Sequence, residues 1–298
     1  MFAAVTSVAL VGVEPRSVRV EVHVSGGKPR FDLVGLPDTA VREAKERVRS
    51  AIIASGHRFP SRRITVNLAP AEIPKAGSAY DLPIAMGVLA AAGTVDGAAT
   101  DVVALGELAL DGTVRAARGA LGAGIVAAER RRRCLVAPSS AAEAMLVPGA
   151  EVRAVRSLAH AVAVALGSSD AAPVDRPDGA APEPPMDLAS VRGQTVARRA
   201  LEVAAAGGHH VLMIGPPGSG KTMLARSLPG ILPPLEAAEA LEVAQVWSAS
   251  GRRRPDIGRP PFRSPHHGAS PVAIIGGGSG IPVPGEVALA HPTEEYVP

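Results

Sequence analysis

Apolar and polar positions alternate near the start of the chain and predict a β-strand. In residues 18–24 (VRVEVHV) the valines fall on one face and Arg19, Glu21 and His23 on the other, which is typical of a half-buried strand. After Asp38 the period changes, and apolar residues at 41, 44, 48 and 51–52 recur at helical spacing. That segment therefore predicts an amphipathic helix with Asp38 as its cap.

The α/β pattern continues to about residue 166. It predicts a strand at 64–68, an apolar helix at 81–93 that Asp81 caps, and a hairpin that turns at Asp111-Gly112. A helix near 118–130 ends in the arginine run 130–133, which suits either nucleic acid or the negative end of a helix. A strand at 151–155 and a helix at 157–166 follow. Residues 1–166 are thus predicted to form one α/β domain.

A change of composition at residue 167 predicts a second domain. Residues 167–186 contain five prolines and almost no large apolar side chain, so we expect an extended linker. Residues 187–298 then begin with a predicted helix at 188–206 and a short buried strand at 209–215 (HHVLMIG). Another helix is predicted to begin near Gly220. The fold class predicted for this domain is also α/β.

The most specific motif, GPPGSGKT at residues 215–222, joins that predicted strand to that predicted helix. It fits the phosphate-binding loop pattern G-x-x-x-x-G-K-[ST] in the strand-to-helix context that such a loop requires. Gly218 and Gly220 allow backbone conformations that a side chain would block. The backbone amides of residues 219–222 are expected to form a nest for phosphate oxygens at a helix N-terminus.

Two side chains complete this predicted phosphate site. Lys221 would bring an ammonium group to the β- and γ-phosphates, and the Thr222 hydroxyl would reach Mg²⁺. Lys221 is also the only lysine in the C-terminal half of the chain. The motif therefore predicts nucleoside triphosphate binding.

Composition narrows the possible functions. Aromatic residues make up only 2% of the chain, which argues against binding bases on stacked rings. The net charge is +3, and the 31 basic residues include only four lysines; this arginine excess favours phosphate recognition or reflects a general Ala, Gly, Pro and Arg bias. The single cysteine, Cys134, excludes an internal disulfide and is predicted to lie in the core. No apolar run is long enough to span a membrane, so a cytoplasmic protein is expected.

Three longer runs carry a resemblance to a known family. The run DLASVRGQTVARRALEVAAAGGHHVLMIGPPGSGKTMLARSLPGILPPL resembles the start of a magnesium-chelatase-like AAA+ ATPase domain, and PFRSPHHGASPVAIIGGGSGIPVPGEVALAH resembles that family's insertion ahead of the Walker B strand. The N-terminal domain of ComM/YifB-type proteins is resembled by two earlier runs, NLAPAEIPKAGSAYDLPIA and GELALDGTVRAARGAL. The resemblance implies a Lon-protease-domain-like α/β domain followed by an incomplete P-loop NTPase (AAA+) α/β/α domain.

The resemblance also implies a function and a set of site residues. Proteins of this type are hexameric, ATP-driven motors implicated in DNA branch migration during natural transformation, so ATP, Mg²⁺, DNA and further copies of the chain are the implied cofactors and partners. Val191 and Gln194 match the segment that lies against the adenine. The nucleotide-binding residues implied by motif and resemblance together are Val191, Gln194, Gly215, Pro217, Gly218, Ser219, Gly220, Lys221, Thr222 and Met223, with Thr222 reaching magnesium through ATP.

The sequence departs from the family pattern at its end. Family members continue from PGE-[IV]-x-LAH into an apolar strand that ends in Asp-Glu, whereas this sequence reads PGEVALAHPTEEYVP. The pair Glu294-Glu295 lies between prolines with no apolar strand before it, and we predict that it does not replace those acids. The expectation is a chain truncated before Walker B, with an exposed apolar edge and little hydrolysis. The alternative is a non-hydrolysing nucleotide-binding or interaction fragment.

The sequence gives weaker support for peptidase activity, for metal insertion and for a histidine metal site. Lon-type peptidases use a Ser-Lys dyad, but Ser78 does not fall at the serine position and no lysine follows the GEL…GTV hairpin, so Lys75 and Ser78 are predicted to have loop roles. A metal-inserting chelatase subunit is disfavoured because such ATPase subunits lack the N-terminal domain. His266-His267 has no third ligand in the sequence and suits a surface loop, or one that touches DNA or a neighbouring subunit.

Overall fold

The computed structural model describes residues 1–174, 185–252, 258–278 and 282–290. These residues divide into two compact units. The first unit contains residues 1–174 with residues 282 and 283, and the second contains the other described residues from 185 onwards. Each unit has its own cluster of buried apolar residues.

A seven-stranded mixed sheet organises the first unit. Its strands are β1 (Phe2–Val11), β2 (Glu14–Ser25), β3 (Arg30–Val34), β4 (Arg63–Ala69), β5 (Val102–Ala104), β8 (Arg133–Val136) and β9 (Glu151–Ala154), while β6 (Glu107–Leu108) and β7 (Val114–Arg115) form a separate hairpin. The order in the sheet is β3-β4-β2-β1-β5-β8-β9. Only β2 runs against its neighbours; the other pairs are parallel.

Helices cover both faces of this sheet. They are α1 (Thr39–Arg42), α2 (Ala44–Ala54), α3 (Asp81–Ala91), α4 (Ala120–Arg130), α5 (Pro138–Ala144) and α6 (Leu158–Ala165). Helices α2, α3 and α6 pack into one apolar cluster with β2 and β4, and α4 and α5 pack into the other with β5 and β8. The alternation predicted for residues 18–24 is confirmed, because Val18, Val20 and Val22 are fully buried.

The arginine run at 130–133 has structural roles around helix ends. Arg131 follows α4 in the left-handed conformation. The Arg133 guanidinium donates to the carbonyls of Val164 and Ala165 at 2.8 and 2.6 Å, at the negative end of α6. Arg132 pairs with Asp101 at 2.8 Å. The sequence left two interpretations of this run open, contact with nucleic acid and interaction with the negative end of a helix. The second describes Arg133, but the helix is α6 and not the α4 helix that the run follows.

The structure corrects the predicted role of Asp81. Tyr80 is the N-cap residue of α3, and Asp81 is the first residue inside the helix. The buried Asp81 carboxylate instead accepts hydrogen bonds from Arg47 and from the Leu108 amide. Burial raises the pKa of Asp81 to about 6, against the lowering effect of Arg47. The carboxylate thus ties α2 and the β6–β7 hairpin to the start of α3.

The beginning of the predicted linker belongs to the first unit. The Ala172 side chain is buried in the cluster that contains α4 and α5, and its amide donates to the Ala154 carbonyl at 2.8 Å. The prediction of an extended linker from residue 167 is therefore wrong at its start. Most of the remaining linker, residues 175–184, lies outside the described residues.

The second unit is mainly helical in the part that the structure describes. Its helices are α7 (Thr195–Gly207), α8 (Lys221–Ile231), α9 (Ala237–Ala249), α10 (Pro271–Ile275) and α11 (Glu286–Ala290), with the short strand β10 (Gly276–Gly277). Strand β11 (Val283–Pro284) falls where the chain passes from the first unit to the second. A 3₁₀ turn at Leu188–Ser190 precedes α7, so the predicted helix at 188–206 begins only at Thr195. The left-handed backbone of Gly193 and Gln194 separates the turn from the helix.

The predicted buried strand at 209–215 is wrong. These residues are in no strand, and Leu212 and Ile214 are 85% and 88% exposed. A buried strand needs backbone hydrogen-bond partners. No strand among the described residues pairs with this segment. The apolar side chains of Leu212 and Ile214 are therefore exposed, but they do not belong to the edge of any sheet that the structure describes.

Candidate nucleotide-binding site

The GPPGSGKT motif forms a turn that leads directly into α8. Gly218 and Gly220 have φ angles of 78° and 81°, in the left-handed region that glycine adopts without strain. Gly220 is the residue that precedes α8. A Cβ atom at Gly220 would lie 2.8 Å from the Gln194 side-chain nitrogen. The left-handed backbone therefore favours glycine at this position, and a side chain there would also displace the Gln194 amide.

Backbone N–H groups at the start of α8 are available to donate hydrogen bonds to a ligand. Within the described ranges, the amides of residues 220–223 donate to no protein acceptor. The Ser219 amide differs, since it donates to the Pro216 carbonyl at 3.4 Å. These free amides, together with the positive end of the helix dipole, favour an anion at this position.

The Lys221 side chain folds back over the turn. Its Nζ donates to the carbonyls of Gly215 and Pro216 at 2.8 Å each, and lies 3.3 Å from Ser219 Oγ. All three acceptors are neutral. No carboxylate of the described residues pairs with Lys221, so its positive charge is uncompensated within the turn. An anion that enters the turn would meet both this charge and the amides of α8.

Thr222 and Met223 lie on the exposed first turn of α8. In the part of the chain that the structure describes, the Thr222 hydroxyl has no hydrogen-bond partner. A hydroxyl oxygen is a hard ligand of the kind that Mg²⁺ binds together with phosphate oxygens. Thr222 is therefore free to ligate a magnesium ion that a nucleotide brings.

Gln194 and Val191 lie next to this turn in different ways. The Gln194 side-chain amide donates to the Ser219 carbonyl at 2.6 Å, which holds the segment before α7 against the turn. The sequence analysis missed this contact, and its only local signal is the VRGQ run itself. Val191 is fully buried with Leu188, Leu201 and Leu224. Any contact of Val191 with a base would therefore be made by its main chain.

The turn fits a triphosphate with Mg²⁺ by charge and by donor type. The amides at the start of α8 and Lys221 would hold the phosphate oxygens, and Thr222 would ligate the metal. Hydrolysis also requires carboxylates that position the metal and the attacking water. The described residues bring no carboxylate into contact with Lys221 or Thr222. The acidic pair Glu294-Glu295 lies outside the described residues.

The other candidate residues do not form a second reactive site. Lys75 is 1% exposed and donates to the Pro70 carbonyl, and burial lowers the pKa of its ammonium. Ser78 instead donates to Glu107. The rings of His266 and His267 lie 4.0 Å apart, and His266 Nδ1 accepts from the Gly268 amide. Among the residues that the structure describes, no three metal-ligating side chains converge.

The sequence analysis also missed an ion pair cluster in the second unit. Glu286, at the start of α11, accepts from Arg263 at 2.5 and 2.7 Å and from Arg252 at 3.0 Å. These contacts lower the pKa of Glu286 to about 2. The Arg263 guanidinium lies 5.6 Å from the centre of the Trp247 ring. The pairing joins α11 to the segments around Arg252 and Arg263, which are distant in sequence.

The described chain is mixed α/β, and the glycine turn before α8 has the sequence and backbone pattern of a phosphate-binding loop. Two family models match the chain: "Magnesium chelatase, subunit ChlI" over residues 187–293, and "Subunit ChlI of Mg-chelatase" over residues 20–141. Curated relatives match almost the whole chain. The uncharacterized protein YifB of Salmonella typhimurium is 46% identical over 97% of this chain and 58% of its own length.

Other relatives agree with this match. The uncharacterized protein YifB of Escherichia coli is 45% identical over 95% of this chain and 56% of its own length. The competence protein ComM of Haemophilus influenzae is 42% identical over 97% of this chain and 58% of its own length. The chain belongs to the magnesium-chelatase-like family, in the group of YifB and ComM. It spans somewhat more than half the length of these curated relatives.

One further observation concerns membranes. Of the helices that the structure describes, none combines the length and the apolar character needed to cross a bilayer.

Proposed function

We propose that the second unit binds MgATP, and that the protein to which this chain corresponds is an ATP-driven, DNA-remodelling motor. In this proposal the motor is cytoplasmic and works as a hexameric ring, and its domains are a Lon-like N-terminal domain, a linker and an AAA+ domain. The relationship to a protein named for competence supports the DNA-related role. The observation that carries nucleotide binding is the uncompensated Lys221 charge beside the free amides at the start of α8.

Binding and hydrolysis are separate parts of this proposal. The described residues supply phosphate and metal ligands but no carboxylate at the turn. They therefore favour a second candidate for this chain on its own, a module that binds nucleotide without turning it over. Bound ATP would supply the phosphoryl-transfer chemistry in the whole protein. This chain's own residues would bind and orient it.

The experiment is a titration of the chain with a fluorescent ATP analogue and Mg²⁺. Lys221→Ala removes the ammonium group that faces the turn, and we expect at least about a tenfold loss of affinity, as for a lost charge-assisted hydrogen bond. Lys45→Ala is the matched control, because this exposed lysine lies in the other unit and its removal changes the net charge equally. Unchanged affinity in the Lys221 variant would refute the proposed site.

A turnover assay separates the two candidates. Phosphate release by this chain at saturating MgATP tests hydrolysis directly, with Lys221→Ala as the background. Tight binding without release above that background would support the non-hydrolysing module. Release that depends on Lys221 would show that the residues of this chain suffice for hydrolysis.

A further inference from the structure

A basic surface lies at the edge of the first unit's sheet where β3 and β4 begin. A groove of about 270 Å³ there has Arg58, Phe59, Arg62, Val24 and Thr94 among its lining residues. Arg58 and Arg62 are exposed. Neither arginine side chain has a hydrogen bond or ion pair with any residue that the structure describes. The groove thus presents two free guanidinium groups.

Other arginines extend this basic surface beyond the groove. Arg30 and Arg63 are opposite each other at the starts of β3 and β4, and both bind Asp32, at 2.5 and 3.2 Å. The Arg49 guanidinium lies 5.8 Å from the centre of the Phe59 ring. The groove and the residues next to it thus include five arginines, and the Asp32 carboxylate pairs with two of them, Arg30 and Arg63.

Arginines outnumber acidic residues among the residues named in and beside the groove. The whole chain has 31 basic and 28 acidic residues, which is a nearly balanced charge. Composition alone therefore does not predict a group of five arginines with a single carboxylate. Asp96 is the next acidic residue along the chain after Thr94, and its side chain is used as a helix cap by the Ala98 amide. We define the basic surface as Arg30, Arg49, Arg58, Arg62 and Arg63.

The chemistry of this surface selects its partner. The guanidinium group presents paired donors that match phosphate oxygens. The ring of Phe59 is stacked on Phe31, with centroids 6.5 Å apart, and faces Arg49, so no free ring is offered to a base. Peptide-binding surfaces depend on buried apolar anchors, and the free groups of this groove are charged. We propose that the basic surface binds the phosphate backbone of a nucleic acid without reading its bases.

This inference is independent of the nucleotide site. The basic surface belongs to the first unit, and Lys221 belongs to the second. Binding through phosphates predicts a steep salt dependence and little sequence preference. It also predicts that nucleic acid binds without ATP. The proposed surface can therefore be tested whether or not the chain binds ATP.

The test is fluorescence anisotropy of the full chain with a labelled DNA duplex, without nucleotide, at several salt concentrations. Arg58→Ala/Arg62→Ala removes the two free guanidinium groups. We expect at least about a tenfold loss of affinity at low salt and a salt slope reduced by about 2, one for each lost phosphate contact. Two duplexes of unrelated sequence should give the same result.

The control is Arg153→Ala/Arg156→Ala, which removes the same charge from exposed positions in and after β9, at the opposite edge of the sheet. Thermal unfolding verifies that both double variants fold. A basic-surface variant that binds DNA as the wild type does, or a control that loses as much, would overturn the proposal. Binding of poly-glutamate in place of DNA through Arg58 and Arg62 would also overturn it, because the partner would then be an acidic protein.

Discussion

Arg47 and Asp81 form a buried ion pair whose disruption should depend on pH. Arg47 Nε donates to the carboxylate at 2.6 Å and Nη2 donates at 3.1 Å, while the same Nη2 donates to the Ala40 carbonyl at 2.9 Å. The side chains of Arg47 and Asp81 are 20% and 1% exposed. Arg47→Met keeps the length of the side chain and removes its charge. Among donors in the described residues, the carboxylate then retains only the Leu108 amide.

The magnitude follows from the state of the carboxylate. Burial raises the pKa of Asp81 from 3.8 to about 6, so the folded chain binds this proton more tightly than the unfolded chain does. The free energy of unfolding therefore falls as pH rises between these two values, by about 3 kcal/mol for a shift of this size. Above that range the charged carboxylate depends on Arg47. Removing one partner of a buried pair costs roughly 3–5 kcal/mol.

We expect Arg47→Met to lower the free energy of unfolding by most of that amount at about pH 7. The decrease should be clearly smaller at about pH 5, because Asp81 takes up a proton in the folded chain there. The assay is urea unfolding at both pH values. Hydrogen exchange of peptides from α3 follows the first unit alone. Asp81→Asn serves as the matched background, because the neutral amide has no charge for Arg47 to compensate. Arg47→Met should cost little in that background.

The reasoning would be refuted if Arg47→Met lowered the free energy of unfolding equally under all of these conditions. If Arg47→Met destabilised the first unit by the same amount at both pH values and in the Asp81→Asn background, the Arg47 contribution would be packing rather than charge. A double-mutant cycle gives the coupling between the two residues directly.

Two other predictions concern single residues. Cys134 is fully buried, and burial raises the pKa of its thiol to about 12. A thiol reagent should therefore modify it only after unfolding, as measured by mass spectrometry with and without urea. Rapid modification of the folded chain would contradict its burial. Glu286 has a pKa lowered from 4.5 to about 2 by Arg263 and Arg252, so its stabilising contribution is present above 4.5 and is lost as pH falls towards 2. The fluorescence of the chain's single tryptophan, beside Arg263, should shift to the red over that range, and Glu286→Gln should shift it already at neutral pH; identical spectra would contradict the pairing.

Local sequence determined those parts of the protein whose signals are local. The alternation at 18–24 placed β2, the Asp111-Gly112 pair placed a hairpin turn, and Asp38 caps the helix that follows it. The glycines of GPPGSGKT specified the left-handed backbone at Gly218 and Gly220. Each of these features depends on a few neighbouring residues, so periodicity and backbone preference suffice to predict it.

Tertiary structure decided the features that join distant segments. An apolar run predicted a strand at 209–215, but strand formation depends on hydrogen-bond partners from elsewhere, and the described residues supply none. Asp81 was predicted to cap its own helix, but it lies inside α3 and pairs with Arg47, 34 residues away. Arg30 and Arg63 of the basic surface likewise come together only because β3 and β4 pair in this register. Charge pairing and sheet partners depend on positions in space, and the order of residues along the chain does not specify those positions.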